Sequence, residues 1–384
     1  MKIGFIDYVF DHNAPIGTNG LSEVVWNLAG PLAKLGCEVH VAGPYARADY
    51  PSEGVQVHPY TVPKIWQRNI VGHNLIVVRG IKTLQRYGPF GVFHAPEYLS
   101  TALLTVFGKG TPVVLTEPGN IYERIANGNP YDPVTTQVFK LAARRTAHSA
   151  ARVIATSDIM KEWWQRTGTA PARIARIPLG VDLGMFEPMA GAKAQLGWSA
   201  EQQHLLFTAR LSVETGAQYL LEALPEVLAK FPQAHLHIVG SGAAEESLRK
   251  QATDLKITGS ISWHGWLGLE ELLLYYSAAA VMIFPGTSGG TPRVMLQALA
   301  CGAPFVGAAI GGIVDHITPD RGWLTPPRDI TGLATAIIEV LSEPDLARQK
   351  AERGRAYVQT LSWANIAERV LNEVYCPLAK TRGN

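Results

Sequence analysis

The residues from Pro285 to Pro292, Pro-Gly-Thr-Ser-Gly-Gly-Thr-Pro, carry the strongest chemical signal in the chain. Before them lies an apolar run, Ala279–Phe284, long enough for a buried strand. After them Val294, Met295 and Leu299 recur at helical spacing. Thr291 can cap that helix, and Pro292 can take its first position, where the missing N–H costs nothing. Gly302 and Pro304 end it. A strand, a glycine loop and a helix N-terminus present unpaired N–H groups to whatever lies before them, and an anion is the suited guest. A pyrophosphate fits that description.

Other side chains can share in such chemistry. Arg210 follows an apolar segment and opens Arg-Leu-Ser-Val-Glu-Thr-Gly, where a cation at a strand end is suited to a phosphate. Arg293 opens the signature helix at the end where cations are disfavoured, which points its side chain to a ligand-directed role. Gly17-Thr18-Asn19-Gly20 precedes a helical segment and repeats the arrangement of loop and helix N-terminus. His94 and Glu97 close a strand in Phe-His-Ala-Pro-Glu-Tyr, and Glu117 closes the next. A lone strand-end histidine is more often structural than catalytic; the two carboxylates strengthen the catalytic reading. Gly240, in His237-Ile-Val-Gly-Ser-Gly242, reads equally as a tight turn, because the third glycine and distal acid of a dinucleotide site are missing. No Asp-x-Asp occurs, so a metal clamp of that type is absent.

Residues 283–304 resemble the donor-sugar signature of retaining family-4 glycosyltransferases, roughly Glu-Gly-x-Pro-x-Val-x-Leu-Glu-Ala-x-Ala-x-Gly-x-Pro. Gly290, Pro292, Val294, Leu296, Ala298, Ala300, Gly302 and Pro304 match it, while its two glutamates fall on Gly289 and Gln297. The segment from Arg210 is similar to that family's Gly-Arg-Leu-x-x-x-Lys-Gly, with Thr215 in place of the lysine. Leu179-Gly180-Val181-Asp182 resembles its interdomain linker, and Trp263-His264-Gly265 the strand end that lines its base pocket. The likeness covers nearly the whole chain and is most specific from Ile177 to Leu341.

This resemblance implies an α/β chain of the GT-B class, two Rossmann-like domains facing a cleft. It implies a nucleotide diphosphate sugar as co-substrate, with no other cofactor and no metal, and a hydroxyl-bearing acceptor. The implied reaction moves a hexosyl group with retention. Arg210, Thr215, Gly289, Gly290, Thr291 and Arg293, with Gly17 and Gly20, are then the donor and phosphate residues. Gly240, His264 and Gln297 hold the nucleoside, and His94, Glu97 and Glu117 face the sugar or acceptor. A non-catalytic relative that binds a nucleotide, sugar or protein is the alternative. A sugar-nucleotide epimerase is disfavoured, because the donor loop has lost its acids.

The elements that must position these residues are legible as alternating segments, the pattern of doubly wound architecture. Strands are expected at Lys2–Asp7, Glu38–Ala42, Val55–Tyr60, Val92–His94, Pro112–Thr116 and Arg152–Thr156, with helices at Leu21–Leu35 and Asp158–Thr167. The pattern restarts with strands at Leu205–Ala209, His235–Val239, Ile261–His264, Ala279–Phe284 and Phe305–Gly307, and helices at Ala217–Lys230 and Ala243–Leu255. Domains are expected at 1–182, joined by 362–384, and at 183–361, with the last helix crossing back. A net charge of +2 on 384 residues gives no case for nucleic acid. Three scattered cysteines suit a reducing compartment. The opening strand has no signal segment before it, and no apolar run reaches about 18 residues. A cytoplasmic protein is expected, with peripheral contact at the inner face of a membrane compatible. Nothing in the sequence sets an oligomeric state.

Overall fold

A computed structural model describes residues 1–7, 20–43, 53–63, 66, 70–117, 133–199 and 201–380. These residues form two compact units, 1–180 with 363–380, and 181–362. Each is a parallel sheet flanked by helices, the expected fold class.

The first unit holds β1 (Lys2–Ile6), β2 (Glu38–Gly43), β3 (Val55–Pro59), β4 (Val92–Ala95), β5 (Val113–Glu117), β6 (Arg152–Ala155) and β7 (Ile174–Arg176), in the order β3-β2-β1-β4-β5-β6-β7. Its helices are α1 (Gly20–Lys34), α2 (Ile70–Leu84), α3 (Tyr98–Phe107), α4 (Pro133–Ser149) and α5 (Asp158–Arg166). Asp7 ties α1 to the end of β1: its carboxylate accepts from Ser22 Oγ at 2.5 Å and Trp26 Nε1 at 2.9 Å. All strand pairings are parallel, so both sheet faces need covering. That is why the central strands β1 and β4–β6 are largely apolar and buried, while the edge strand β3 mixes buried and exposed residues.

The second unit holds β8 (Gln203–Thr208), β9 (Ala234–Val239), β10 (Ile261–Gly265), β11 (Val281–Phe284), β12 (Phe305–Ala308) and β13 (Trp323–Thr325), in the order β10-β9-β8-β11-β12-β13. Its helices include α6 (Ala217–Lys230), α7 (Glu245–Asp254), α8 (Leu269–Ala278), α9 (Arg293–Ala300), α10 (Ile330–Ser342) and α11 (Pro344–Gln359). Leu220 and Leu224 of α6 and Leu333 and Ile337 of α10 bury against Leu205, Phe207, Ile283 and Val306 of the sheet. Burial of each such side chain is worth about 1.5–3 kcal/mol.

The chain then returns to the first unit. There α12 (Trp363–Arg369) packs on α1 and widens to π geometry over Val370–Tyr375. Val181 N donates to Leu361 O at 2.9 Å, so the two chain crossings run side by side.

The expected strands are present, with ends displaced by no more than two residues. Elements the pattern missed include α2, α3, α4, α8, β7 and β13. In α2, Ile and Val recur around Gly72 and Gly80, which blurs helical periodicity. Arg176, three residues before Leu179 of the linker, closes β7.

Candidate functional site

Both sheets reverse strand order once, between β1 and β4 and between β8 and β11. In open α/β sheets ligands bind outside the carboxyl ends of strands at such a switch point. In the second unit, Arg210 follows β8 and the Pro285–Pro292 segment follows β11.

That segment is held by backbone on both sides. Thr287 N donates to Glu214 O at 2.9 Å, and Gly312 N donates to Gly290 O at 3.3 Å. A Cβ on Gly311 would lie 1.9 Å from Gly289 O, so the approach requires glycine there. Gly289 itself sits at φ 132°, with nothing within 4 Å of an added Cβ. Space is available, but the backbone conformation is one that side-chain-bearing residues rarely adopt. A glutamate at 289 therefore requires a different loop path.

The helix begins one residue later than expected. Pro292 is the cap residue of α9, and no side chain caps its N–H groups. Thr291 does not cap because its Oγ1 is buried without a hydrogen-bond partner among the described residues; Ser288 Oγ is in the same state. Each unanswered buried hydroxyl costs about 1–3 kcal/mol. Arg293 opens the helix, and burial draws its pKa down to about 10, still cationic at neutral pH. Arg210 is exposed, with no described group bonded to its guanidinium. Uncapped amides, two buried hydroxyls and two arginines thus lie on the segments that follow the strand ends at one switch point.

Thr215 is otherwise occupied. Its hydroxyl faces Arg210 O at 2.7 Å and Ser212 O at 2.8 Å, closing the turn after β8. Its single proton is spent on backbone, whereas the resemblance implied a phosphate contact. Gln297 Oε1 accepts from Tyr276 Oη at 3.2 Å, and that buried phenol meets Thr208 Oγ1 at 3.1 Å. Gln297 keeps two N–H groups without a described partner. Gly240 N donates to Gly265 O at 2.6 Å, joining the ends of β9 and β10.

Two family models match this chain: glycosyl transferases group 1 over residues 191–357, and glycosyltransferase family 4 over residues 18–184. The chain carries both domains of a family-4-type glycosyltransferase. It is 31% identical over 209 residues to a GDP-mannose-dependent monoacylated α-(1-6)-phosphatidylinositol monomannoside mannosyltransferase of Corynebacterium glutamicum, covering 51% of this chain and 54% of that protein. It is 26% identical to a D-inositol 3-phosphate glycosyltransferase of Pseudarthrobacter chlorophenolicus, over 95% of this chain and 92% of that one. A sucrose-phosphate synthase from Thermosynechococcus elongatus shares the fold, with a TM-score of 0.83, 24% identity and 99% of each chain covered. The fold is therefore GT-B.

In this glycosyltransferase chain the expected residues of the first unit have structural partners. His94 is fully buried, with Nδ1 2.5 Å from Tyr375 Oη and Nε2 2.7 Å from Thr116 Oγ1. Burial lowers its pKa to about 3. Glu97 caps α3, accepting from Leu99 N at 2.5 Å and from Ser100 N. Burial raises its carboxyl pKa against the pull of those N–H groups. Both were expected to face a sugar or acceptor; the protein itself takes up their polar atoms. Gly20 is the first residue of α1. Glu117 ends β5, and its side chain, like Gly17, lies outside the described residues.

His264 is also engaged. A file of rings crosses three strands: Ser199 O lies 3.1 Å from His204 Nε2, and His204 Nδ1 lies 3.0 Å from His237 Nε2. His237 Nδ1 lies 3.0 Å from His264 Nε2, and His264 Nδ1 lies 3.1 Å from Tyr275 Oη. Trp198 stacks on His204 and His237 at 4.2 and 4.0 Å. Burial lowers all three pKa values, that of His237 to about 3, so the rings are neutral. A carbonyl can only accept, so His204 carries its proton on Nε2, and each neighbour must follow suit down to the Tyr275 hydroxyl. No nitrogen of His264 is left for a nucleotide base.

Sequence reasoning missed Ser288, Tyr276 and this file. Ser288 could have been found as a hydroxyl between loop glycines. His235-Leu-His237 shows the strand alternation, but pairing with His204 and His264 requires the sheet register.

Proposed function

We propose that this chain transfers a hexosyl group from a nucleotide diphosphate sugar to a hydroxyl acceptor, with retention of anomeric configuration and without a metal. The observation that carries this reading is the uncapped start of α9 with Ser288 Oγ and Thr291 Oγ1 buried and unanswered beside it. Phosphate oxygens supply the acceptors that both the amides and the hydroxyls lack. Arg210 and Arg293 add the positive charge.

In the proposed reaction the bond between the anomeric carbon and the diphosphate oxygen breaks. Charge then grows on the departing nucleoside diphosphate, where amides and arginines stabilise it more than they do the intact donor. The acceptor oxygen bonds to the anomeric carbon from the face that the diphosphate leaves, and its proton passes to the departing phosphate. Gln297 donates to the ribose. The relative that depends on GDP-mannose supports a nucleotide sugar as donor class.

Arg210→Ala tests the phosphate role. Calorimetry should show a nucleoside diphosphate losing about 1.5–3 kcal/mol of affinity and the parent nucleoside losing little. Equal losses would overturn the assignment. Turnover should survive a chelator, and NMR of the product should show the donor's anomeric configuration. Binding of no nucleotide or sugar nucleotide at millimolar concentration would favour the non-catalytic alternative.

A further inference from the structure

The first unit contains a cavity of about 940 Å³ bounded by the end of edge strand β3, the residues after it and helix α2. Tyr60, Trp66 and Tyr87 form aromatic walls, and Arg79, Lys82 and Arg86 line it as well. The volume is that of a small-molecule site.

The three cations stand at i, i+3 and i+7, so they share one stripe along α2 and the residues that continue it. All three are exposed. Among the described residues no acidic side chain lines the cavity, and α2 contains none. None of the three forms an ion pair or side-chain hydrogen bond with a described residue. Other helices of the chain behave differently: Arg166 pairs with Glu162, Arg249 with Glu245, Lys250 with Asp254, Arg348 with Asp345 and Arg369 with Glu373. Like charges at this spacing weaken a helix. The negative helix C-terminus offsets that for Lys82 and Arg86, whereas Arg79 lies further in. A cationic stripe that no described residue neutralises therefore lies beside a ligand-sized, aromatic-walled hollow.

We propose that this groove binds a phosphate ester of an alcohol, its phosphate on Arg79, Lys82 and Arg86 and its organic part against the aromatic walls. Forked guanidinium donors match phosphate oxygens. The chemistry is shared by a free sugar or polyol phosphate and by a lipid headgroup. The site is separate from the residues after β8 and β11 and stands whether or not the transferase reading does.

The full chain should be titrated with glucose 6-phosphate and glycerol 3-phosphate by calorimetry. It should also be floated with vesicles of phosphatidylcholine alone, and of equal parts phosphatidylcholine and phosphatidylglycerol. Binding is expected to a soluble ester or to the anionic vesicles, which identifies the source. The triple variant Arg79→Gln, Lys82→Gln, Arg86→Gln should weaken that binding about tenfold or more, the worth of one charge-assisted hydrogen bond. Arg210→Ala should leave it unchanged. The milder Lys82→Arg should retain binding, and equal thermal melts for parent and variants establish that folding is intact. No binding to either probe class, equal binding by the triple variant, or loss in Arg210→Ala would each overturn the proposal.

Discussion

At the carboxyl end of β4, His94 and Glu97 have every polar side-chain atom answered by the protein, whereas at the carboxyl end of β11, Ser288 and Thr291 have theirs unanswered. Both places lie at a switch point of a parallel sheet, and both carry residue types that suit chemistry. The difference is where the hydrogen bonds go. A buried group already paired within the protein contributes to stability and has little left for a ligand. A buried group without a partner costs stability until a ligand supplies one. Availability separates the two places, and residue type alone does not.

Acid should expose the contrast most strongly. His94 titrates near its ordinary value of 6.5 when unfolded and near 3 when folded. A depressed histidine pKa means that the unfolded state takes up the proton first as pH falls. Its stabilising contribution is complete above the unfolded value and is lost below it, by about 3 kcal/mol between pH 7 and pH 4. His94→Gln should flatten that part of the pH profile in urea unfolding. The same slope in parent and variant would show that His94 is not held neutral by burial.

Tyr375→Phe removes the phenol from His94 Nδ1 and should cost about 2 kcal/mol of stability, the penalty for a buried group left unpaired. Nucleoside diphosphate affinity should not change. A loss of affinity with stability intact would assign His94 to the ligand and break the comparison. The smallest effect tests the other side. Ser288→Ala should raise the melting temperature slightly, because it removes a buried hydroxyl that has no described partner, and should weaken diphosphate binding by about 1 kcal/mol. The reverse pattern would give Ser288 an internal role.

The signals that sequence carried were local. The segment from Val281 to Gly302 could be read because apolar spacing, glycines and a proline all act within a few residues. The helix start was displaced because Thr291 turns inward, which no local rule dictates. Thr215 stands where a lysine was expected, and its hydroxyl closes the turn instead; a match by position does not reveal that use. The partner of His94 was out of reach for the same reason at longer range, since Tyr375 lies 281 residues on. The histidine file needs the pairing of three strands before any ring finds its neighbour.

The return of α12 to the first unit also sets an order in time. A ribosome adds about 5–20 residues per second, so roughly 15–55 s separate the synthesis of His94 from that of Tyr375, 281 positions later. In that interval residues 181–362, which carry a sheet and core of their own, are made in full. The half of the protein that is started first is therefore the half that is finished last.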